Sequence, residues 1–551
     1  GIYDLTEYSL TSMDLRATVA YNADLGKTGD HILNLFAGSE LNSTDRQAIW
    51  FRGWGYQYNN GGIPYVDYRL FKQSQEEGTD YYSNSFQYLR NLAFFGMATY
   101  SYKGRYTING TLRYEGSNML GKSRQARWLP TWNVSGSWNA HEENWWAPTF
   151  GKAWTYASLK ASYSLTADRG PASNSLAVFQ SFTPWRPSTS ANESAIILAA
   201  LENSELTYEK KHELNVGVAL GFVDNRINVE FDWYRRNNFD LIGYTQTMGV
   251  GGVTTKLAND ATMESTGCEF TISTVNVKTK DFKWTTDWIF GWAENTITKL
   301  DSRSQVYSLV NGVGRTEGRP IGALYSIPFA GLTEEGLPTF FIDAEHTQVV
   351  GPGNYAAIYF QEYENIDYLK YEGTIDPKIT GSFGNTFSWK GLKLNVFFTY
   401  SFGNVLRLDN LCPVYSSDYS DLTASMKEMK NRWMVPGDEN VTTIPSIPTV
   451  RQMREIDALN NAYSAYNYST ERVAKGDFIR LKELSLAYDL PKKYFEGQNA
   501  VSSFGVKLSA TNLWLAYADK KLNGRDPEYY NTGGVSSPVP RQFTLTVKLG
   551  F

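Results

Sequence analysis

The chain has little of what anchors most enzyme chemistry. Of 551 residues two are cysteine and four are histidine. None of His31, His141, His212 and His346 has a second histidine or a cysteine at metal-ligand spacing. Paired C-x-x-C, H-E-x-x-H, G-x-S-x-G and G-x-G-x-x-G sequences are all missing; Gly249, Gly251 and Gly252 make only a flexible loop tip. Cys268 lies in a strand-like pattern and Cys412 in a loop-like one, and both read as unpaired thiols. Neither a cofactor, nor a metal, nor an enzymatic activity is expected. Long apolar runs are lacking too. The longest is the seven residues Ala195 to Leu201, against the roughly 20 that a membrane-spanning helix needs. A helical span is therefore excluded. A spanning strand is not, because it needs only about 10 residues with half of them facing water, which suits a mean hydropathy of -0.40. Charge of one sign is scarce as well: 52 basic against 57 acidic residues give a net charge of -5. No basic field is available to hold nucleic acid, and no nucleic-acid partner is expected.

Aromatic residues are abundant: 37 Tyr, 29 Phe and 16 Trp make up 15 % of the chain. Their setting is a repeated alternation of period two, which marks strands with one face in an apolar medium and the other against water. Ile227, Val229, Phe231 and Trp233 oppose Asn228, Glu230 and Asp232. Trp284, Thr286, Trp288, Phe290 and Trp292 form a stripe opposite Thr285 and Asp287. Leu392, Leu394, Val396, Phe398, Tyr400 and Phe402 oppose Lys393, Asn395, Thr399 and Ser401, with Phe397 as the one break. In the last segment, from about Val539, Phe543, Leu545, Val547, Leu549 and Phe551 alternate with Gln542, Thr544, Thr546 and Lys548. About fifteen such strands are expected, the first near Met13 to Asp24.

Short and long connections alternate between them. Lys103-Gly104, Val223 to Asn225, Lys278 to Asp281 and Lys390-Gly391 are turn-like. One of these, Lys390-Gly391, joins an expected strand Gly373 to Trp389 to the strand that starts at Leu392. Long polar loops are expected at approximately 40–85, 168–205, 299–372, 406–475 and 516–538. This is the layout of a transmembrane antiparallel β-barrel, with tight turns on the periplasmic side and long loops outside. The phase places Phe551 at the periplasmic rim, and a final strand ending in Phe resembles the closing strand of bacterial outer-membrane barrels, which makes Phe551 a candidate assembly signal. The stretch Trp50 to Gly62 concentrates aromatics among Gly and Asn. Trp50, Trp54, Tyr56 and Tyr58 are candidate contacts to substrate or partner, with self-packing of the loop as the alternative. Glu230 and Asp232, on a wet strand face, are candidates for tuning the polarity of a pore.

Four stretches go further. Tyr100 to Trp138 (YSYKGRYTINGTLRYEGSNMLGKSRQARWLPTWNVSGSW), Leu206 to Val218 (LTYEKKHELNVGV), Arg480 to Phe495 (RLKELSLAYDLPKKYF) and Leu508 to Glu528 (LSATNLWLAYADKKLNGRDPE) resemble, in order and wording, the C-terminal part of SusC-like (SusC/RagA family) TonB-dependent outer-membrane transporters. Two departures stand out. The family usually reads close to R-x-D-G-S-S-R-F-G where this chain has Arg113-Tyr114-Glu115-Gly116-Ser117-Asn118-Met119-Leu120-Gly121, and a Tyr is common where Arg525 precedes Asp526-Pro527-Glu528. The resemblance implies an all-β fold, residues 1–551 forming a single partial barrel domain that contributes the C-terminal 15 or so of 22 strands. Seven strands, the plug domain, the TonB box and the signal peptide would lie before Gly1. It further implies active import of oligosaccharides or oligopeptides, a SusD-like surface lipoprotein as partner, TonB engaged through the N-terminal region, and a setting in outer-membrane lipid and lipopolysaccharide. A passive porin, a siderophore or vitamin receptor, or a barrel recruited as scaffold to a larger envelope assembly are the alternatives that composition leaves open.

Overall fold

The computed structural model describes residues 1–26, 29–64, 67–77, 79–120, 127–151, 153–168, 170, 175–182, 184, 193–250, 252–411, 427–491, 494–495, 501–529 and 540–551. Gly121, Gly251, Cys412 and Val539 lie outside the described residues. One antiparallel sheet of 15 strands dominates. Its first five strands are β1 (Ile2–Leu25), β2 (His31–Trp54), β3 (Tyr82–Tyr102), β4 (Tyr106–Ser117) and β5 (Trp128–Asn139). The middle five are β6 (Trp154–Asp168), β7 (Glu209–Phe222), β8 (Ile227–Gln246), β9 (Thr255–Lys278) and β10 (Phe282–Leu300). The last five are β11 (Ile379–Trp389), β12 (Leu392–Phe402), β13 (Phe478–Asp489), β14 (Ser503–Ala518) and β15 (Gln542–Gly550). Spatial order equals chain order from β1 to β15.

Among the tightest hairpins are the two-residue connection of β11 and β12 and the three-residue connection of β3 and β4. Lys390 (φ 46°) and Gly391 (φ 90°) both adopt positive φ, as do Lys103 (54°) and Gly104 (65°). Positive φ at both central positions is the backbone of the hairpin turn whose twist matches the flanking strands, and glycine reaches it without steric cost.

Register separates the two faces of the sheet, because directly paired residues point the same way. Across β10 to β15 one row reads Trp284, Phe387, Leu394, Leu486, Leu508 and Leu545. The adjacent row reads Thr285, Thr386, Asn395, Ser485, Ser509 and Thr544. Across β1 to β5 the same division gives Val19, Ala37, Gly96, Leu112 and Trp132 on one face. On the other lie Arg16, Glu40, Ala93, Glu115 and Leu129. A one-residue slip would exchange the faces, so an apolar medium on one side fixes the register wherever period two holds.

Several strands outrun their alternation. β1 begins at Ile2 rather than near Met13, and β2 extends to Trp54 while β3 begins at Tyr82, so residues 40–54 and 82–85, expected in a loop, are strand. In these parts Glu7, Ser9 and Thr11 stand where apolar residues stand further along β1, and period two disappears while pairing continues from Ile2↔Trp54 onward. At 24 residues, β1 and β2 each reach about 80 Å at about 3.3 Å per residue. The expected strand Gly373 to Trp389 is two elements: Lys370–Thr374 pairs with Ala323–Ser326, and only Ile379–Trp389 joins the large sheet.

The chain packs as two compact units, one of Gly1–Asn139, Lys160–Leu214 and Arg236–Thr262, the other of Ala140–Leu159, Asn215–Arg235 and Met263–Phe551. Within the second, the connections β10–β11 and β12–β13 are not open loops. They fold together into a lobe with its own core, including Val306, Leu309, Ile327, Leu337, Phe340, Tyr355, Leu459 and Tyr466. Small strands Phe329–Leu332, Pro338–Phe341 and Val349–Val350 pair with one another, and Val405–Arg407 pairs with Val473–Lys475. Helix Leu459–Asn467 buries Leu459, Ala462, Tyr463 and Tyr466, a spacing that sets them on one face. The nearby helix Val450–Glu455 starts on a capping box between Thr449 and Gln452, which satisfies backbone N–H groups at its first turn.

Candidate substrate cavity on the polar face

The first unit holds a cavity of about 470 Å³ on the polar face of β3 to β6, lined by Leu89, Asn91, Arg113, Glu115, Ser117, Leu129, Thr131, Thr166, Ala167, Asp168 and Tyr208. Its charged centre follows from register. Phe95 faces Arg113, Ala93 faces Glu115 and Glu40, and Asn91 faces Ser117, so three consecutive polar-face rows converge. The Arg113 guanidinium donates from Nε to Glu115 Oε2 at 2.6 Å and from Nη1 to Glu40 Oε2 at 3.0 Å. One cation is thereby held by two carboxylates, in a fork geometry that suits arginine. Phe95 supports the group from behind, with Arg113 6.0 Å and Arg16 5.0 Å from its ring centroid. The ring lies over the backbone of Gly38, where a Cβ would come within 2.7 Å of it. Beneath the cavity Tyr208 packs with Leu120, Leu206 and Ile242, and Leu129 and Ala167 join that apolar floor. Asp168, at the end of β6, accepts the Gly170 N–H at 3.0 Å.

The residues singled out from sequence fall elsewhere. Trp50 and Trp54 sit on strand β2, not in a loop, with the Arg52 guanidinium 5.1 Å and 5.4 Å from their rings. Arg52 is held in turn by both Asp4 carboxylate oxygens, at 2.7 and 2.8 Å. Tyr56 stacks on Tyr3 at 5.2 Å and meets Tyr58 edge-on at 4.7 Å, while Tyr58 Oη donates to the Ile2 carbonyl at 2.6 Å. These side chains pack largely on one another. Glu230 is exposed and Asp232 half-buried on β8, the latter over Gly217. None of the six lines the cavity. Phe551 follows β15 and is 88 % exposed. Cys268 is a half-buried thiol in β9. The cavity residues come from four strands and a loop, and in sequence the only local signal was the departure Arg113-Tyr114-Glu115.

The most distinctive sequence motifs have a structural role in the second unit. Arg480, with its side chain 4 % exposed, pairs with Asp526 and with Glu528 Oε2 at 2.8 Å. Arg472 pairs with Glu428 and donates to the Asp409 carbonyl at 2.7 Å. Arg525, the residue that departs from the family pattern, pairs with Asp409. Four ion pairs thus link the segment after β14, the base of the lobe and the start of β13. Arg407 is enclosed nearby, donating to Ser326 Oγ and to the carbonyls of Val310, Tyr325 and Ser469. Burial pulls its pKa down to about 10, so it stays charged at neutral pH.

No protein-family model matches the chain. Solved structures do: over 100 % of its length the chain matches 56 % of a chain in the RagAB peptide importer in its open-open state, at TM-score 0.78 and 20 % identity, and equally in the closed-closed state, at 0.77 and 21 %. The fold is therefore that of a transmembrane antiparallel β-barrel, in which apolar rows face lipid and polar rows face the interior. Sequence relatives narrow the class. The chain is 26 % identical over 493 residues to TonB-dependent receptor P3 of Formosa agariphila, covering 83 % of this chain and 45 % of the relative. It is 27 % identical over 214 residues to the TonB-dependent receptor SusC of Bacteroides thetaiotaomicron, covering 38 % and 21 %. With the fold, these make the chain similar to SusC-like TonB-dependent receptors, which are outer-membrane proteins. The chain spans about half the length of the relatives it matches most fully, 45 % of P3 and 52 % of receptor P26 from the same organism.

Proposed function

We infer that the chain is part of an outer-membrane importer that takes up an oligomeric nutrient, oligosaccharide or oligopeptide, in a TonB-driven cycle with a SusD-like lipoprotein over its mouth. The observation that carries this reading is the whole-length fold match to a peptide importer at TM-score 0.78, joined to a sheet whose polar face holds a charged cavity. In this reading the long connections lie outside the cell and the lobe of β10–β11 and β12–β13 meets the lipoprotein. Trp50, Trp54, Tyr56 and Tyr58 stand near the mouth, and Glu230 and Asp232 face the route. The full-length protein, tagged and purified from its native envelope, is expected to bring down one SusD-like lipoprotein, and its deletion to abolish growth on one oligomeric nutrient. Several unrelated envelope proteins in the purified sample, with growth unchanged on every oligomer supplied, would establish the scaffold reading instead.

A further inference from the structure

We propose that the polar-face cavity is a subsite for a protonated amine carried by an oligomeric solute. The inference rests on the import reading and narrows its substrate class. Charge is the first argument. Among the described residues Glu40, Glu115 and Asp168 stand against Arg113 and Arg16, and Arg113 is already engaged by two of the three carboxylates. Asp168 accepts the Gly170 N–H, and among the described residues no cation pairs with it. Among the described residues the balance of these groups is negative, which disfavours a carboxylate or phosphate ligand and draws in a cation.

Hydrogen-bonding capacity is the second argument. An ammonium group carries three donors and no acceptor. The cavity presents carboxylate oxygens of Glu115 and Asp168, the hydroxyls of Thr131 and Thr166, and Asn91 Oδ1, which is buried with no partner among the described residues. Shape adds a third. A sugar ring bound through its apolar face needs an open aromatic surface, and the aromatic residue of the lining, Tyr208, is 6 % exposed. The volume falls in the range of small-ligand sites, enough for one or two units of an oligomer.

Peptides and amino-sugar oligomers both carry such amines, and binding to the purified full-length protein separates them. The probes are alanyl-lysyl-alanine, the glucosamine trimer and the fully N-acetylated form of each. We expect one amine probe to bind at least tenfold more tightly than its acetylated form, the pair that shows the preference naming the source. Asp168→Asn keeps the acceptor for the Gly170 N–H and removes the charge, so it should abolish the preference for the amine probe over its acetylated form. Equal binding of amine and acetylated probes, binding of none, or a preference that survives Asp168→Asn would overturn the proposal. The import reading is tested apart from it: a deletion strain that grows normally on oligomers sinks import whatever the cavity binds, and a growth defect with no amine preference sinks only the subsite.

Discussion

The sheet and the lobe use the same apolar residues to opposite ends. On the sheet, Val19, Ile108, Leu112, Leu508 and Leu545 are 52 to 67 % exposed, and register alone gathers them onto one face. In the lobe, Val306, Leu309, Phe340 and Tyr355 are fully buried and touch one another. The sheet turns its hydrophobic surface to an apolar solvent outside itself, so its stability depends on lipid and on an unbroken hydrogen-bonded ladder. The lobe excludes water by ordinary packing. A chain that looks hydrophilic on average thus meets two apolar environments, one supplied by the membrane and one built from its own connections.

This contrast can be broken by substitution. The largest effect is expected in the lobe: Phe340→Ala removes a fully buried ring and should cost the lobe about 3 to 5 kcal/mol. Hydrogen exchange over residues 306–369 should accelerate while the heat-modifiable gel mobility of the assembled sheet persists. Loss of both together would mean that lobe and sheet fold as one. Next, Leu508→Lys on the lipid-facing row should cost about 2 to 4 kcal/mol for folding into bilayers, depending on depth. Thr544→Lys, from the adjacent polar row, should stay within about 0.5 kcal/mol. Equal penalties in a vesicle-folding titration would contradict the assignment of faces. Smaller still is Arg525→Tyr. The Arg525 and Asp409 side chains are 36 % and 50 % exposed, so solvent screens the pair and about 0 to 1 kcal/mol is expected, read as a shift in lobe melting.

The smallest effect is one of pH. Trp433 Nε1 donates to Glu439 Oε2 at 3.0 Å and Gly437 N–H to the same oxygen at 2.8 Å. The Trp433 hydrogen bond foremost holds the Glu439 carboxyl below its ordinary value of 4.5. Its stabilisation is therefore complete above that value and is lost as pH falls through the lowered folded-state one. Trp433 hydrogen exchange or fluorescence should report loosening of this turn only on the acid side of 4.5, and Glu439→Gln should remove the pH dependence. A turn that loosens on the alkaline side would reverse the sign and refute the assignment.

How far the sequence could be read follows the same division. Strands such as β12 and β15 were legible because lipid on one face and water on the other impose period two on side chains. The distal parts of β1 and β2 were not, since Glu7, Ser9 and Thr11 break the apolar pattern while the backbone pairs on regardless. The lobe was hidden for another reason. Its core joins Leu309, Phe340, Tyr355 and Tyr466 across connections separated by two sheet strands, and no local periodicity records such distant packing. The cavity was out of reach on the same ground: Asn91, Arg113, Thr131 and Asp168 meet only through pairing, and each alone is an ordinary strand residue. Trp50 and Trp54, chosen for their density in sequence, turned out to flank Arg52 on a strand.

Gly38 ends the matter on geometry rather than energy. It is not among the residues that line the cavity, yet the ring of Phe95 occupies the space a side chain would take there, and that ring backs both Arg16 and Arg113. A side chain at this position would press on the Ala17 carbonyl oxygen at 2.5 Å and on the Phe95 ring at 2.7 Å, and so disturb the support of the cation that organises the cavity. The arrangement of Arg113 thus depends on a residue two strands away that carries no side chain at all.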